Sequence, residues 1–230
     1  MGVRKLKLWF QKKIHGYDFP DLKKAQPLQI KPQARILILA PHADDETIGC
    51  GGLLLKYGAQ CDVVLLTDGR HGDSSVPPNE MINIRKKEFE EVMVHYAVRN
   101  VRLLNVEDGK LIDHFKDFST LEFKEYDYVF MPHPMDFHKD HVAVSCLFKR
   151  LCKTRPFKGQ VVYYEIWNTL ARPTHYIDIS DVVEEKRRLI NLYASQIKNI
   201  DYASRILGLN HYRGLRHHIE YEEDFEIANF

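Results

Sequence analysis

Residues 34–52 read ARILILAPHADDETIGCGG. An apolar, β-branched run from Ile36 to Leu39 stops at Pro41, and His42, Asp44, Asp45 and Glu46 follow at once. Thr47 to Tyr57 then reads as a helix, with Gly58 placed to cap its end. A buried strand that sets polar side chains down at its C-terminal end is how open α/β sheets build their sites. Carboxylates crowded in this way repel one another unless a cation or a shared proton relieves them. The stretch therefore reads as a first strand and helix of an α/β fold carrying the seed of a metal site.

Working outward, Cys61 to Thr67 (CDVVLLT) is apolar throughout, as a parallel strand covered on both faces must be. It ends in Asp68-Gly69, and a polar loop with Gly72, Pro77 and Pro78 leads to a helix predicted over about Glu80 to Ala97. Val101 to Leu104 is a short strand, and Gly109 to Phe123 has helical periodicity. Asp127 to Met131 is another buried strand, again broken by proline, and it runs into PHPMDFHKDH at 132–141 before a helix over Val142 to Cys152. Val161 to Trp167 and an edge strand over His175 to Ile179 follow, then a helix from Val182 to about Gln196 with Asp181 as its N-cap. The remainder is less periodic. This alternation predicts a three-layer, Rossmann-like α/β sandwich with a mainly parallel sheet and an active site at the C-terminal strand ends.

Composition narrows the function. Lys plus Arg number 33 against 32 Asp plus Glu, which gives no sign of a nucleic-acid surface. Cys50, Cys61, Cys146 and Cys152 form no CxxC pair and suit free thiols in a reducing, cytoplasmic compartment. Residues 1–26 place Val3, Leu6, Trp9, Phe10 and Ile14 among lysines and arginine. That is a basic amphipathic arm, either packed on the main domain or lying peripherally on an anionic inner-membrane surface. Residues 27–230 are read as the catalytic domain.

Two strand-end loops hold the chemistry-bearing side chains: His42, Asp44 and Asp45 in one, His133, Asp136, His138, Asp140 and His141 in the other. Imidazole and carboxylate without thiolate is the donor set of hydrolytic zinc sites. Pro41-His42-Ala43-Asp44-Asp45-Glu46 and His138-Lys139-Asp140-His141 together resemble the paired motifs of the PIG-L/LmbE family of zinc-dependent N-deacetylases. Thr67-Asp68-Gly69, Arg85 with Glu88, Lys186 to Gln196 and Tyr221 to Phe225 extend the similarity over about residues 34–228. Ala43 stands where the family usually has proline, which removes a rigid φ angle but no ligand.

The resemblance implies that His42, Asp45 and His141 hold Zn²⁺ (Fe²⁺ or another divalent ion being acceptable to the same donors). It further implies Asp44 as general base, a protonated His138 meeting the oxyanion, and an N-acetylated amino sugar or glycoconjugate as substrate. Arg85, Arg70, His133 and Asp136 are expected to line the substrate cleft, and Asp140 and Glu46 to support the site from behind. Glu165 suits the cleft or a cap, and Arg213 to His218 suits a solvated turn. Two other readings stand beside this one: an amidase for a sugar–thiol conjugate with the same metal set, and a non-catalytic Rossmann-like ligand-binding module. The second lacks a phosphate loop, because Gly49, Gly51 and Gly52 fall inside the predicted helix rather than at its mouth. The sequence identifies neither the sugar nor the oligomeric state.

Overall fold

The computed structural model describes residues 24–198 and 200–228, so nearly all of the arm expected at residues 1–26 lies outside the described residues. Strands β1 (Gln26–Pro27), β2 (Ile36–Ala40), β3 (Cys61–Thr67), β4 (Asn100–Val106), β5 (Tyr128–Pro132), β6 (Gln160–Tyr164), β7 (His175–Asp178) and β8 (Glu222–Ile227) form one sheet. Its order is β1-β7-β8-β6-β5-β2-β3-β4. The pairings β4–β3–β2–β5–β6 are parallel throughout, while β8 runs antiparallel between β6 and β7. Helices α1 (Asp45–Tyr57), α2 (Pro78–Tyr96), α3 (Phe115–Phe118), α4 (Lys139–Cys152), α5 (Val183–Ile190), α6 (Ala194–Ile197) and α7 (Tyr202–Gly214) complete the described chain.

The period-two pleat of β2 explains the three layers. Ile36 and Ile38 pack with Leu53, Phe89 and Tyr164 on one face, while Leu37 and Leu39 pack with Met131, Val144 and Phe148 on the other. All five β2 residues are buried, and each such Leu or Ile contributes roughly 1.5–3 kcal/mol. No helix among the described residues is long and apolar enough to cross a membrane.

Helix α1 is bent. Cys50 has φ −135° and ψ 16°, which breaks the helical ladder after the first turn. The groups this exposes find partners from distant parts of the chain: the Glu223 carboxylate accepts from Gly52 N (2.6 Å) and Leu53 N (3.0 Å), and Lys186 Nζ donates to Ile48 O (2.9 Å). Lys186 and Glu223 pair with each other at 2.7 Å, both buried.

Four expectations are corrected. Residues 109–123 form only single turns, at Leu111–Asp113 and α3. The helix expected from Val182 to Gln196 is interrupted between α5 and α6. Asp181 does not cap α5, because its Oδ1 is taken by Lys56 Nζ. His175–Asp178 is not an edge, since β1 pairs beyond it.

Candidate active site

The turn after β2 is pinned to the neighbouring strand: Thr67 donates to Pro41 O from both its backbone N (3.0 Å) and its Oγ1 (2.7 Å). The chain then passes through Asp44 at φ 128° and ψ −28°, a backbone setting that L-residues rarely adopt. Such outliers persist only where the surroundings over-determine them. Here Asp44 O accepts the first helical bonds from Thr47 N and Ile48 N, and Glu46 Oε2 accepts from Asp44 N.

Three ligand-type atoms converge beside this turn. His42 Nδ1 lies 3.1 Å from Asp45 Oδ2 and 3.2 Å from His141 Nε2, and His141 Nε2 lies 3.2 Å from Asp45 Oδ2. The far side of each imidazole faces carboxylates: His42 Nε2 is 3.2 Å from Asp108 Oδ1 and 3.4 Å from Asp140 Oδ2, and His141 Nδ1 is 3.0 Å from Asp136 Oδ1. Those carboxylates place the ring protons on the outer nitrogens, leaving two lone pairs and a carboxylate oxygen aimed at one point. Donors about 2.0–2.1 Å from a tetrahedral zinc lie about 3.3 Å apart, so the triangle fits such an ion. Charge agrees. Burial lowers the His141 pKa, yet Asp45 and Asp136 more than offset it and push it up to about 9, while the imidazoles hold Asp45 far below the carboxylate range despite its burial. A pocket with that surplus of negative charge calls for a cation. His42, His138 and His141 also lie close enough to share an ion, as do His42, Asp108 and Asp140. In the second grouping the two carboxylates reach only the outer nitrogen of His42.

Asp44 stands next to the triangle. Burial lifts its pKa to about 6 even though Arg85 Nη2 lies 3.3 Å from Oδ2. Arg85 is itself buried: Nη2 bonds Ala43 O, while Nε and Nη1 have no hydrogen-bond partner among the described residues. Glu46 sits behind, accepting from Thr47 Oγ1 and Tyr193 OH, and burial pushes it up to about 7. His138 caps α4 and its Nδ1 accepts from Asp140 N at 3.3 Å, so the ring's donor is on Nε2. Burial and the rings of His42 and His141 lower the pKa of His138.

The structure thus brings His42, Asp44, Asp45, His138 and His141 together around one cleft of about 220 Å³, with Arg85 in its wall. Asp140 braces from behind: it accepts from Gly109 N and Leu111 N and faces His42. Three residues expected in the cleft are placed elsewhere. Asp136 is buried behind His141 and accepts from the backbone of His138, Trp167 and Asn168. His133 packs edge-on against Tyr163 near Glu226. Arg70 is held in a fork by Asp68. Glu165 binds Arg213 and Leu170 N outside the cleft, and Arg213 is buried rather than part of a solvated turn. The cleft also takes in residues the sequence reading passed over: Asp108, His71, Trp167, Gln196 and Tyr202. Asp108 had a signal, because it follows the C-terminal end of a parallel strand as His42 and Asp68 do.

A mainly parallel α/β sheet with a histidine–carboxylate cluster at the C-terminal strand ends defines the class: an open-sheet protein with a polar cleft whose side chains could hold a metal ion. Residues 37–152 match the family PIG-L, described as GlcNAc-PI de-N-acetylase, and the chain belongs to that family. It is similar to diacetylchitobiose deacetylase of Thermococcus kodakarensis, 29% identical over an alignment of 189 residues that covers 70% of this chain and 70% of that one. The structure of N,N'-diacetylchitobiose deacetylase from Pyrococcus horikoshii superposes with a TM-score of 0.74 at 24% identity, covering 99% of this chain and 93% of that one. GalB, the 4-carboxy-2-hydroxymuconate hydratase of Pseudomonas putida, superposes with a TM-score of 0.66 at 16% identity over 86% of this chain and 97% of its own. One fold therefore carries both deacetylases and a hydratase, and the reaction has to be argued from the site.

Proposed function

We propose that the protein is a metal-dependent hydrolase that removes the acetyl group from an N-acetylated amino sugar. The observation that carries this reading is the triangle of lone-pair atoms from His42, Asp45 and His141 with the ionisable Asp44 beside it. Family membership and the similarity to diacetylchitobiose deacetylase support the substrate class. His42, Asp45 and His141 would hold a zinc ion, and Fe²⁺ or Co²⁺ would suit the same donors. When bound, such an ion supplies a Lewis acid for the acetamide carbonyl and lowers the pKa of water.

The rest falls to the chain. Asp44, with its pKa raised to about 6 by burial, is ionised at neutral pH yet basic enough to take a proton from the attacking water and pass it to the leaving amine. Arg85, buried beside Asp44 and Glu88, keeps the Asp44 carboxylate aimed. His138 donates from Nε2 to the carbonyl oxygen as charge develops there. Asp136 and Asp140 hold the two imidazoles in their tautomers. Acetate and the free amine leave.

Zinc content and acetate release from N-acetylglucosamine and N,N'-diacetylchitobiose test the proposal, using wild type, Asp44→Asn and His141→Ala. Asp44→Asn should keep its zinc and lose roughly 10²–10⁴ in turnover. His141→Ala should lose the metal and the activity together. Near-normal turnover by zinc-loaded Asp44→Asn would remove Asp44 from the mechanism, and a wild type that binds no divalent metal would end the proposal.

A further inference from the structure

The cleft occupies the C-terminal ends of the strands. The opposite end of the sheet carries a second concavity, built where the chain enters β2, β5 and β6, which lie side by side in the order β6-β5-β2. It measures about 360 Å³, within the roughly 300–1,000 Å³ of small-ligand sites. Each entering segment gives it one lysine: Lys31 ahead of β2, Lys124 ahead of β5 and Lys158 ahead of β6. All three are exposed, and none has an ion-pair partner among the described residues.

The floor beneath these lysines is fixed by the backbone. Asp127 N donates to Arg35 O at 2.8 Å, Asp127 Oδ2 accepts from Arg35 N at 2.9 Å, and Asp127 O accepts from Gln160 N at 2.8 Å. One residue thus ties together the entries of all three strands. Gly159 lets them close up, because a Cβ there would lie 2.5 Å from Asp127 O. The charge is one-sided. Two carboxylates line the cavity, but Glu125 is paired with Arg35. That leaves three ammonium groups against Asp127 alone, a surplus of two positive charges. A concavity lined by one sign of charge concentrates ions of the other.

The surplus matches one chemical group. A phosphomonoester carries about −1.5 to −2 charges at neutral pH and presents three acceptor oxygens, one for each lysine. Beside the lysines, a further space of about 380 Å³ shares Tyr128 and Gln160 with the first. Its wall is amide and imidazole, from Gln26, Gln29, Gln160 and His175, and burial lowers the His175 pKa, which keeps that ring neutral. Amides and a neutral imidazole both donate and accept, which suits a hydroxylated ligand body. We propose that this groove at the N-terminal edge of the sheet is a second binding site, for a phosphomonoester whose phosphate lies among Lys31, Lys124 and Lys158 and whose polar body lies along Gln160 and Gln29. The metal-type cleft is at the other end of the same strands, so both sites can be filled at once.

Titration calorimetry of the zinc-loaded full chain with inorganic phosphate and with glucose 6-phosphate tests a soluble ester. Co-sedimentation with phosphatidylcholine vesicles, with and without phosphatidic acid, tests a lipid headgroup. Glucose 6-phosphate should bind saturably and more tightly than inorganic phosphate. Lys31→Gln/Lys124→Gln/Lys158→Gln should weaken it roughly 10-fold or more, since three charge-assisted hydrogen bonds are lost. Arginine at the same three positions should retain binding. Lys86→Gln/Lys87→Gln/Lys116→Gln, which removes the same charge from exposed positions elsewhere, should bind as wild type does. Capture by phosphatidic acid vesicles alone, lost in the first glutamine variant, would keep the phosphate site and assign its ester to a lipid. Three results would overturn the proposal: equal weakening by both glutamine variants, which reduces the effect to net charge; an isotherm unchanged in every variant, which sends the anion to the metal centre; and no binding of any probe.

Discussion

The Lys186–Glu223 pair offers a sharp test of how the motif-bearing turn is held. Both side chains are buried, 2.7 Å apart, and they satisfy the backbone groups freed at the Cys50 bend of α1: Ile48 O on one side, Gly52 N and Leu53 N on the other. Glu223→Gln leaves an ammonium buried with neutral acceptors and no anion, and Lys186→Met leaves a carboxylate with no cation. Breaking one side of a buried pair costs about 3–5 kcal/mol, which for a chain of this size lowers Tm by roughly 6–20 °C. The double variant Lys186→Met/Glu223→Gln buries no charge. The Gln carbonyl can accept from only one of Gly52 N and Leu53 N, so the remaining losses are one helix acceptor and the donor to Ile48 O, about 1–3 kcal/mol each.

The double variant should therefore be destabilised by less than the sum of the two single ones, with a coupling energy of roughly 3 kcal/mol or more. Urea unfolding of the four proteins, read as a double-mutant cycle, measures it. Because the first turn of α1 carries Asp45 and follows Asp44, chelator competition on the folded double variant should also show weakened zinc retention. Additive effects within about 0.5 kcal/mol would mean that the two residues do not act as a unit, and the account of the bend would fail.

Two further outcomes follow from the site and the sheet. Asp136→Asn should weaken zinc binding roughly 10- to 100-fold, since it removes the charge that fixes the His141 tautomer, and chelator competition would show it; unchanged affinity would make Asp136 a mere loop anchor. Glu222 is pushed up to about 8 by burial and by Asp224 beside it, so the folded state holds its proton more tightly than the unfolded state does. The sign is that this contribution is fully present below the unfolded glutamate pKa and is lost as pH rises towards about 8. Urea midpoints at pH 5 and pH 8 should show wild type declining more steeply than Glu222→Gln, and parallel curves would rule the assignment out. Glu46, raised to about 7, acts in the same direction in both proteins, so the difference reports the Glu222–Asp224 pair.

The parallel half of the sheet was legible because covering a strand on both faces demands an uninterrupted apolar run. Cys61–Thr67 matches its predicted bounds, and Ile36–Ala40 and Tyr128–Pro132 differ from theirs by no more than two residues at either end. The strand Glu222–Ile227 obeys a different physics. Glu222, Glu223 and Asp224 are nearly inaccessible, yet a hydropathy pattern reads them as surface. They are buried because Lys186, Arg213, Arg216 and His217, together with the α1 backbone, supply partners. No local pattern reveals that, since the partners lie on other elements and a paired charge looks like an unpaired one in sequence. The same limit explains Asp181, whose capping position was outweighed by Lys56, 125 residues away.

The site divides along a similar line. Residues singled out from the chain for their own chemistry at a strand end, His42, Asp44, Asp45, His138 and His141, lie together at one cleft. Among those lying behind them, Asp140 and Glu46 sit where they were expected, whereas Asp136 was expected in the cleft and Asp108 was not singled out. Asp136 and Asp108 are both acids in loops that follow a strand, and nothing local distinguishes a carboxylate that meets substrate from one that turns an imidazole. The structure separates them by depth: Asp136 is sealed behind His141, whereas Asp108 reaches His42 Nε2 and still opens to the cleft. Asp108 can therefore orient His42 and meet a substrate hydroxyl, while Asp136 can act only through His141 and the Trp167 loop. The strained backbone of Asp44 belongs to the same logic. At φ 128° the carboxylate is turned towards Arg85 while Asp45, one residue on, points to the triangle. A relaxed helical start would send consecutive side chains off about 100° apart around one axis, tying their directions together. The outlier at Asp44 uncouples them, which is what two adjacent carboxylates with separate tasks require.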